Sequence, residues 1–392
     1  MKRIISLLLL LQITLIGQSA YYRLGYGDLF PETDPFANSI GIGSVALQDS
    51  AHVTLHNPAS LNNLNRVYFG VALGSDFRSI DDVVSNNTRL EQMNIVLPMG
   101  EKFGMSLGVQ AISDFKSDYT STLDAGTFSE RSDGGLWDYQ IGLGYNISPV
   151  MKAGLKLHRF QGLLRRETSV TMDDIQELYV VKGNISGSSF EAGVLSDVGD
   201  KVTLGLTVNV PVDKPVLSGR DSLGGSSSYN DLEEELTAWP TIINFGIVYH
   251  HSPTMNFIAG IGQELFSETG FDDARIFSLP EGWHTVPVAS FQLAMQKRAT
   301  DRTSRSWNKR TGFQTGVSIK NYYLVPEDDT MIFEYALTSG LNLGLRNGRS
   351  LFEISGELGS RGGEESLPSE LYARVKFGIQ INDIWFRKVK RR

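Results

Sequence analysis

The chain has no cysteine among its 392 residues. That absence excludes a disulfide scaffold, thiolate zinc or iron–sulfur centres, a cysteine nucleophile and a lipidated cysteine anchor. Positive charge is not in excess either: 36 Lys and Arg stand against 44 Asp and Glu, a net charge of −8. A protein that works by gripping phosphate backbones needs the opposite balance, so nucleic acid is not expected as a partner. After residue 20 no long apolar run occurs, which leaves no candidate transmembrane helix in that stretch. The histidine signature of a metalloprotease is missing as well. The six histidines, His52, His56, His158, His250, His251 and His284, form no His-Glu-x-x-His. Ser113 and Lys116 fit a Ser-x-x-Lys spacing, a pattern common by chance, where a strand gives way to a loop. His52 and His56, four apart, would share one helix face, but no third metal ligand accompanies them. The expectation is a protein that is not an enzyme and needs no cofactor.

What is present is turn and strand material: 40 Gly, 20 Phe, 14 Tyr and 5 Trp. The first twenty residues read as a secretory signal peptide. Lys2 and Arg3 form a positive start, Ile4 to Ile16 an apolar stretch, and Gly17 to Ala20 a small-residue exit. The apolar stretch falls short of the roughly 20 residues a spanning helix needs.

Downstream, apolar residues recur with period two. Trp137, Tyr139, Ile141, Leu143, Tyr145 and Ile147 alternate with Asp138, Gln140, Gly142, Gly144 and Asn146. After Ser148-Pro149 the partner follows, with Met151, Ala153, Leu155 and Leu157 opposite Lys152, Gly154, Lys156 and His158. Strand starts fall near Arg66, Thr88, Lys102, Leu136, Val150, Gly187 and Lys201. They continue near Thr241, Thr254, Val286, Arg310, Met331, Arg349 and Leu371, fourteen in all. An even count, with tight turns alternating with links of mostly ten to thirty residues, is the pattern of a bacterial outer-membrane barrel. The link from Arg298 to Lys309 breaks it, being longer than its position demands.

Alternation gives two faces without saying which faces lipid, so a secreted sandwich or propeller remains the competing fold. Export, strand parity, and aromatic residues near strand ends (Tyr68, Trp137, Tyr249, Trp385, Phe386) favour the membrane barrel, where such rings form interfacial girdles. Closure also removes the edges of so large a sheet. The long links are acidic, as at Asp81-Asp82, Glu233-Glu234-Glu235 and Glu327-Asp328-Asp329. The opposite end carries Arg298, Arg302, Arg305, Lys309, Arg310 and a basic tail at 387–392. The acidic runs are read as solvated loops rather than cation sites, since none has the spacing of a calcium loop. The expected fold class is all-β: a 14-stranded antiparallel transmembrane β-barrel over 66–386, preceded by a short N-terminal segment at 21–65, with both termini periplasmic.

That segment carries Gly41-Ile42-Gly43-Ser44-Val45-Ala46 and then Asp49 to Leu61 with Asn57-Pro58-Ala59 just ahead of the first strand. Here the chain resembles the FadL-like outer-membrane proteins, the long-chain fatty acid transporters and their PorV-like relatives in type IX secretion. The resemblance implies fourteen strands and a hatch inside the barrel. Asn57, Pro58 and Ala59 would belong to that hatch, and Gly41 and Gly43 would permit close backbone packing. It implies a route for hydrophobic ligand through an opening in the barrel wall or, in the secretion relatives, binding of exported proteins. Both readings stay open: passive, hatch-gated passage of small, hydrophobic molecules, or a scaffold for exported protein cargo. If the apolar faces meet lipid, Lys152, Lys156, His158, Arg374 and Lys376 line the lumen with Asp138, Gln140, Glu353 and Glu357, as salt bridges or as a site for a ligand anion. Outer-membrane lipids are the expected surroundings.

Overall fold

The computed structural model describes residues 25–30, 34–48, 52, 55–63, 66–80, 83–123, 126–172, 175–223, 230–235, 239–266, 282–345, 350–362 and 369–383. The expected signal peptide at 1–20, the tail at 387–392, and Trp385 and Phe386 lie outside the described residues. A two-residue strand β1 (Asp28–Leu29) and a short helix α1 (Pro35–Ile40) come first, followed by 3-10 turns at Gly41–Ala46 and Pro58–Asn63. Then come β2 (Val67–Ile80), β3 (Val83–Pro98), β4 (Phe103–Asp114), β5 (Ser117–Leu123), β6 (Gly126–Ser148) and β7 (Met151–Met172). The middle of the chain supplies β8 (Ile175–Val198), β9 (Val202–Pro211), β10 (Val216–Leu223), β11 (Asn230–Glu235), β12 (Thr241–Ser252) and β13 (Met255–Leu265). The last third holds β14 (His284–Thr285), β15 (Val288–Lys297), helix α2 (Trp307–Arg310), β16 (Thr311–Asn321), β17 (Leu324–Val325), β18 (Phe333–Gly344), β19 (Ser350–Gly362) and β20 (Glu370–Asp383).

Fourteen of these strands form a closed antiparallel barrel. Each pairs with the next, and β20 closes on β2 from Val67↔Asp383 to Ser79↔Leu371. The six short strands β1, β5, β10, β11, β14 and β17 stand outside that count.

Burial gives the direction that alternation could not. Phe69, Leu107, Ile141, Leu157, Phe257 and Leu337 are exposed on the outer wall, while Asp138, Gln140, Lys156, His158, Arg374 and Lys376 are buried inside. An apolar exterior around a polar interior is the arrangement of a barrel in lipid. Tyr68 departs from the expected girdle: it is buried with Leu55, Leu61 and Val96, and its neighbour Phe69 faces outward instead. The pleat admits only one of two adjacent residues to each face, and the apolar character of both hid which one it would be.

Three strands begin earlier than expected, at Val83, Gly126 and Ile175. A membrane strand needs about 9–11 residues, and β6, β7 and β8 run to 23, 22 and 24. Their extra lengths, such as Ser129-Glu130-Arg131-Ser132, carry no apolar alternation, because past the lipid neither face meets hydrocarbon. Two links expected to be long loops accordingly shrink to two residues, at 81–82 and 173–174. The Arg298 to Lys309 link is a genuine irregularity and ends in α2.

The N-terminal segment lies inside the barrel. Phe36, Ile40, Ala46 and Leu47 pack against the inward Val248, Ile258 and Ala294. Inward glycines make the room: a Cβ on Gly154 would overlap the backbone of Pro58, and one on Gly260 the backbone of Gly43. Above this level the lumen is filled by a second cluster that includes Tyr26, Phe160, Trp239, Phe266, Tyr322 and Tyr323.

Candidate functional site: the lumen, the N-terminal segment and the wall

α1 is capped by Asp34, whose carboxylate oxygens accept from the N–H groups of Phe36 (3.3 Å) and Ala37 (3.4 Å). It ends at Gly41, whose φ of 68° lies in the left-handed region open to glycine. A side chain at Gly41 would also collide with Gln292, whose Oε1 accepts from the Ile42 N–H at 2.9 Å. Gly43 sits against Ile258 and the Ala259 backbone. Asn57 ties the second half of the segment to the wall: Nδ2 donates to the carbonyls of Val45 (2.8 Å) and Val194 (3.1 Å), and Oδ1 accepts from the Ala59 N–H (3.0 Å). Pro58 opens the 3-10 turn that rests on Gly144, Gly154 and Gly193. These five positions are thus brought together in the lumen.

The two early histidines take separate structural partners. His52 Nδ1 lies 2.6 Å from Glu353 Oε1, and the Phe36 ring stacks on its face at 4.0 Å. His56 Nδ1 lies 2.6 Å from Ser44 Oγ. Burial, reinforced by the Lys156 ammonium, lowers the His56 pKa to about 3, so this imidazole is neutral at physiological pH.

The basic residues expected in the lumen separate into two groups. On the closing side, cross-strand neighbours alternate in sign: Lys320, Glu334, Arg361 and Glu370 stand in register across β16, β18, β19 and β20. Arg361 Nη2 meets Glu334 at 2.7 Å, Lys320 meets it at 3.3 Å, and Arg78 meets Glu370 at 3.2 Å. Arg374 joins Glu357 (2.9 Å) and Asp76 (3.5 Å), and Lys376 faces Glu91 at 3.7 Å. On the far side, Lys156 donates to the Leu55 carbonyl and meets Glu191 at 3.1 Å. His158 bridges Asp138 (2.8 Å) and Glu191 (3.0 Å). Lys152 sits near the tight turns, half-buried, and reaches Gln48 of the N-terminal segment.

The wall is interrupted between β3 and β4, a feature that the sequence did not reveal. β3 and β4 pair from Pro98↔Gly104 only as far as Gln92↔Gln110. Beyond that point β4 bulges between Ala111 and Ser113 against β6, and β1 takes the vacated edge, with Asp28↔Asp114 and Leu29↔Ser113 in register. The Phe30 N–H donates to the Ile112 carbonyl at 2.7 Å, and the Arg89 guanidinium covers the Phe30 ring at 3.4 Å from its centroid. Arg89 is held in turn by Asp76 at 2.5 Å and Glu91 at 3.0 Å. Phe30 borders two cavities. One, of about 500 Å³, reaches the outer wall at Tyr139 and Leu163; the other, of about 180 Å³, lies in the lumen beside Trp239 and Ile242.

A family model described as BamG matches residues 1–391. The chain belongs to the BamG family. Among solved structures, this BamG-family chain is similar to the CymD monoaromatic hydrocarbon channel at 13% identity, over 94% of this chain and 100% of the other, with a TM-score of 0.62. It is similar to the Ralstonia pickettii toluene transporter TbuX at 11% identity, over 90% and 98%, with a TM-score of 0.60. A Pseudomonas aeruginosa FadL homologue matches at 11% identity over 94% and 99%, with a TM-score of 0.55. Comparison with curated proteins finds no match. The FadL-like resemblance drawn from 41–61 therefore holds for the fold of this BamG-family barrel. Phe30 and Arg89 escaped the sequence reading because each acts through a distant partner. The hint was the short polar stretch of β3 around Asn86 to Glu91, where outward apolar alternation lapses.

Proposed function

We propose that this barrel gives small hydrophobic molecules passive passage across the outer membrane, through the β3–β4 wall gap, with the N-terminal segment as a hatch. The observation that carries the reading is Phe30: it stands between a lumen cavity and a wall cavity, just after the two-residue strand β1, which with the Phe30 N–H holds the segment to β4. Hydrocarbon channels of the same fold support the class of solute. A molecule leaving by the wall enters lipid directly and avoids the water beyond the barrel, which is where an apolar solute gains free energy. The segment enters from the tight-turn end, where both ends of the barrel lie at Val67 and Asp383; in the proposed orientation this end is periplasmic.

The absence of cysteine makes a direct test clean. Leu29 and Ser113 are register partners, so Leu29→Cys with Ser113→Cys places two thiols within reach of a disulfide. Toluene uptake into proteoliposomes is expected to fall on oxidation and recover on reduction. Uptake indifferent to the bond would remove β1 as the gate. The rival reading, a barrel that receives exported protein, draws on the ion-filled half of the lumen. Exported proteins retained through purification, with no toluene uptake in any state, would favour it.

A further inference from the structure

We infer that the lumen cavity of about 180 Å³ is a binding site for a neutral one-ring molecule that carries a hydroxyl donor, an inference that rests on the passage reading and names its preferred solute class. Phe30, Phe160, Trp239 and Ile242 supply apolar walls, and Asp138 and Glu191 reach the same space. Size comes first. An apolar cavity of about 150 Å³ accommodates benzene, so this one holds a single ring with a small substituent and not an extended acyl chain.

The polar side of the cavity sets the chemistry. Each carboxylate uses one oxygen within the protein. Asp138 Oδ2 lies 2.8 Å from His158 Nδ1 and accepts from Gln110 Nε2 at 3.2 Å; Glu191 Oε2 lies 3.1 Å from Lys156 Nζ and 3.0 Å from His158 Nε2. Among the described residues nothing donates a hydrogen bond to the second oxygens, Asp138 Oδ1 and Glu191 Oε1, although the residues are only 1% and 7% exposed. Buried acceptors of this kind are strongly unfavourable unless a donor meets them. A hydroxyl on the ring supplies that donor while the ring occupies the apolar walls. A carboxylate would instead face two like charges, because Lys156 and His158 already serve Glu191 and Asp138. A bare hydrocarbon fits the walls and leaves both oxygens unmet.

Phenol, toluene and benzoate are the probes, titrated calorimetrically into the purified full-length protein in nanodiscs. Phenol is expected to bind about tenfold more tightly than toluene, the effect of one hydrogen bond to a charged acceptor, and benzoate not to bind. Ile242→Trp, which adds bulk to the cavity at a lining residue other than the two carboxylates, is expected to abolish phenol binding. Asp138→Asn is expected to narrow the gap between phenol and toluene. The wild-type series decides by itself should Asp138→Asn not fold. Equal affinity for phenol and toluene, tighter benzoate, or phenol binding unchanged in Ile242→Trp would each overturn the site. Toluene uptake by vesicles without a phenol preference sinks this inference alone. Phenol binding without uptake of any probe sinks the passage reading and leaves the site standing.

Discussion

The two halves of the lumen are built from similar residues and arranged to opposite effect. Along β16, β18, β19, β20 and β2, cations and carboxylates alternate in register, so that Arg361 and Arg374 are each met by two or more carboxylates. Along β4 to β9 the charges are fewer, aromatic rings intervene, and the space between them forms cavities. The closing half is solid because its inward charges are answered by opposite charges on neighbouring strands, as Arg361 is by Glu334 and Glu370 and Arg374 by Asp76 and Glu357. The far half also pairs neighbouring strands, as His158 does with Asp138 and Glu191, but it leaves cavities beside the N-terminal segment, which it meets at the Leu55 carbonyl through Lys156 and at Asn57 through the Val194 carbonyl. One sheet is thereby rigid where it must close and spacious where something else is to fit.

The comparison is broken most forcefully at Arg361. Replacing it in Arg361→Met strips Glu334 and Glu370 of a buried partner, a loss expected to destabilise the barrel by about 3–5 kcal/mol. Urea titration followed by heat-modifiable gel mobility would read it. If Arg361→Met proved no worse than Asn209→Leu on the far half, the contrast between the halves would collapse. Gly154→Val comes next. The added side chain has no room beside Pro58, and overpacking of this kind costs about 1–3 kcal/mol. The expected readout is faster proteolysis within 55–63, with barrel mobility on gels retained. Phe30→Ala should still give a folded barrel and raise toluene uptake severalfold, since the side chain between the two cavities is gone. Unchanged or lower uptake would count against the gap.

The smallest effect concerns pH. Burial in the folded protein lowers the His56 pKa to about 3, whereas in the unfolded chain it takes a proton near the ordinary imidazole value of about 6.5. Between those values the unfolded state binds more protons, so this residue's contribution turns unfavourable as pH falls below about 6.5 and has no effect above it. Compared with His56→Gln, the wild-type protein should lose more stability between pH 7 and pH 5. Parallel profiles would show that His56 does not titrate with unfolding.

The barrel was legible because lipid imposes alternation along every spanning strand: Tyr139, Ile141 and Leu143 face out only if Gln140 and Gly142 face in. All fourteen strands could be counted from that rule. Where lipid stops, the rule stops, which is why the first halves of β6 and β8 read as loops. The inward polar set was visible too, since Lys156, His158 and Arg374 share the face opposite the apolar one. Their pairing was not. Arg374 meets Asp76 across nearly the whole chain, and Lys156 meets Leu55 of a segment with no periodic pattern. The site around Phe30 was hidden for the same reason, because its meaning depends on β3 and β4 parting far downstream.

The seam between β2 and β20 joins residues between 292 and 316 apart in sequence, from Ser79↔Leu371 to Val67↔Asp383. Loop closure over such a span is entropically unfavourable until contacts on arrival offset it, and long-range strand pairing is slow. The Asp76–Arg374–Glu357 row lies in register across that seam and the next strand. A slip of one residue would turn these charges toward lipid. Assembly of this barrel is therefore expected to wait on its last strand, with the charged row serving as the check that rejects every register but one.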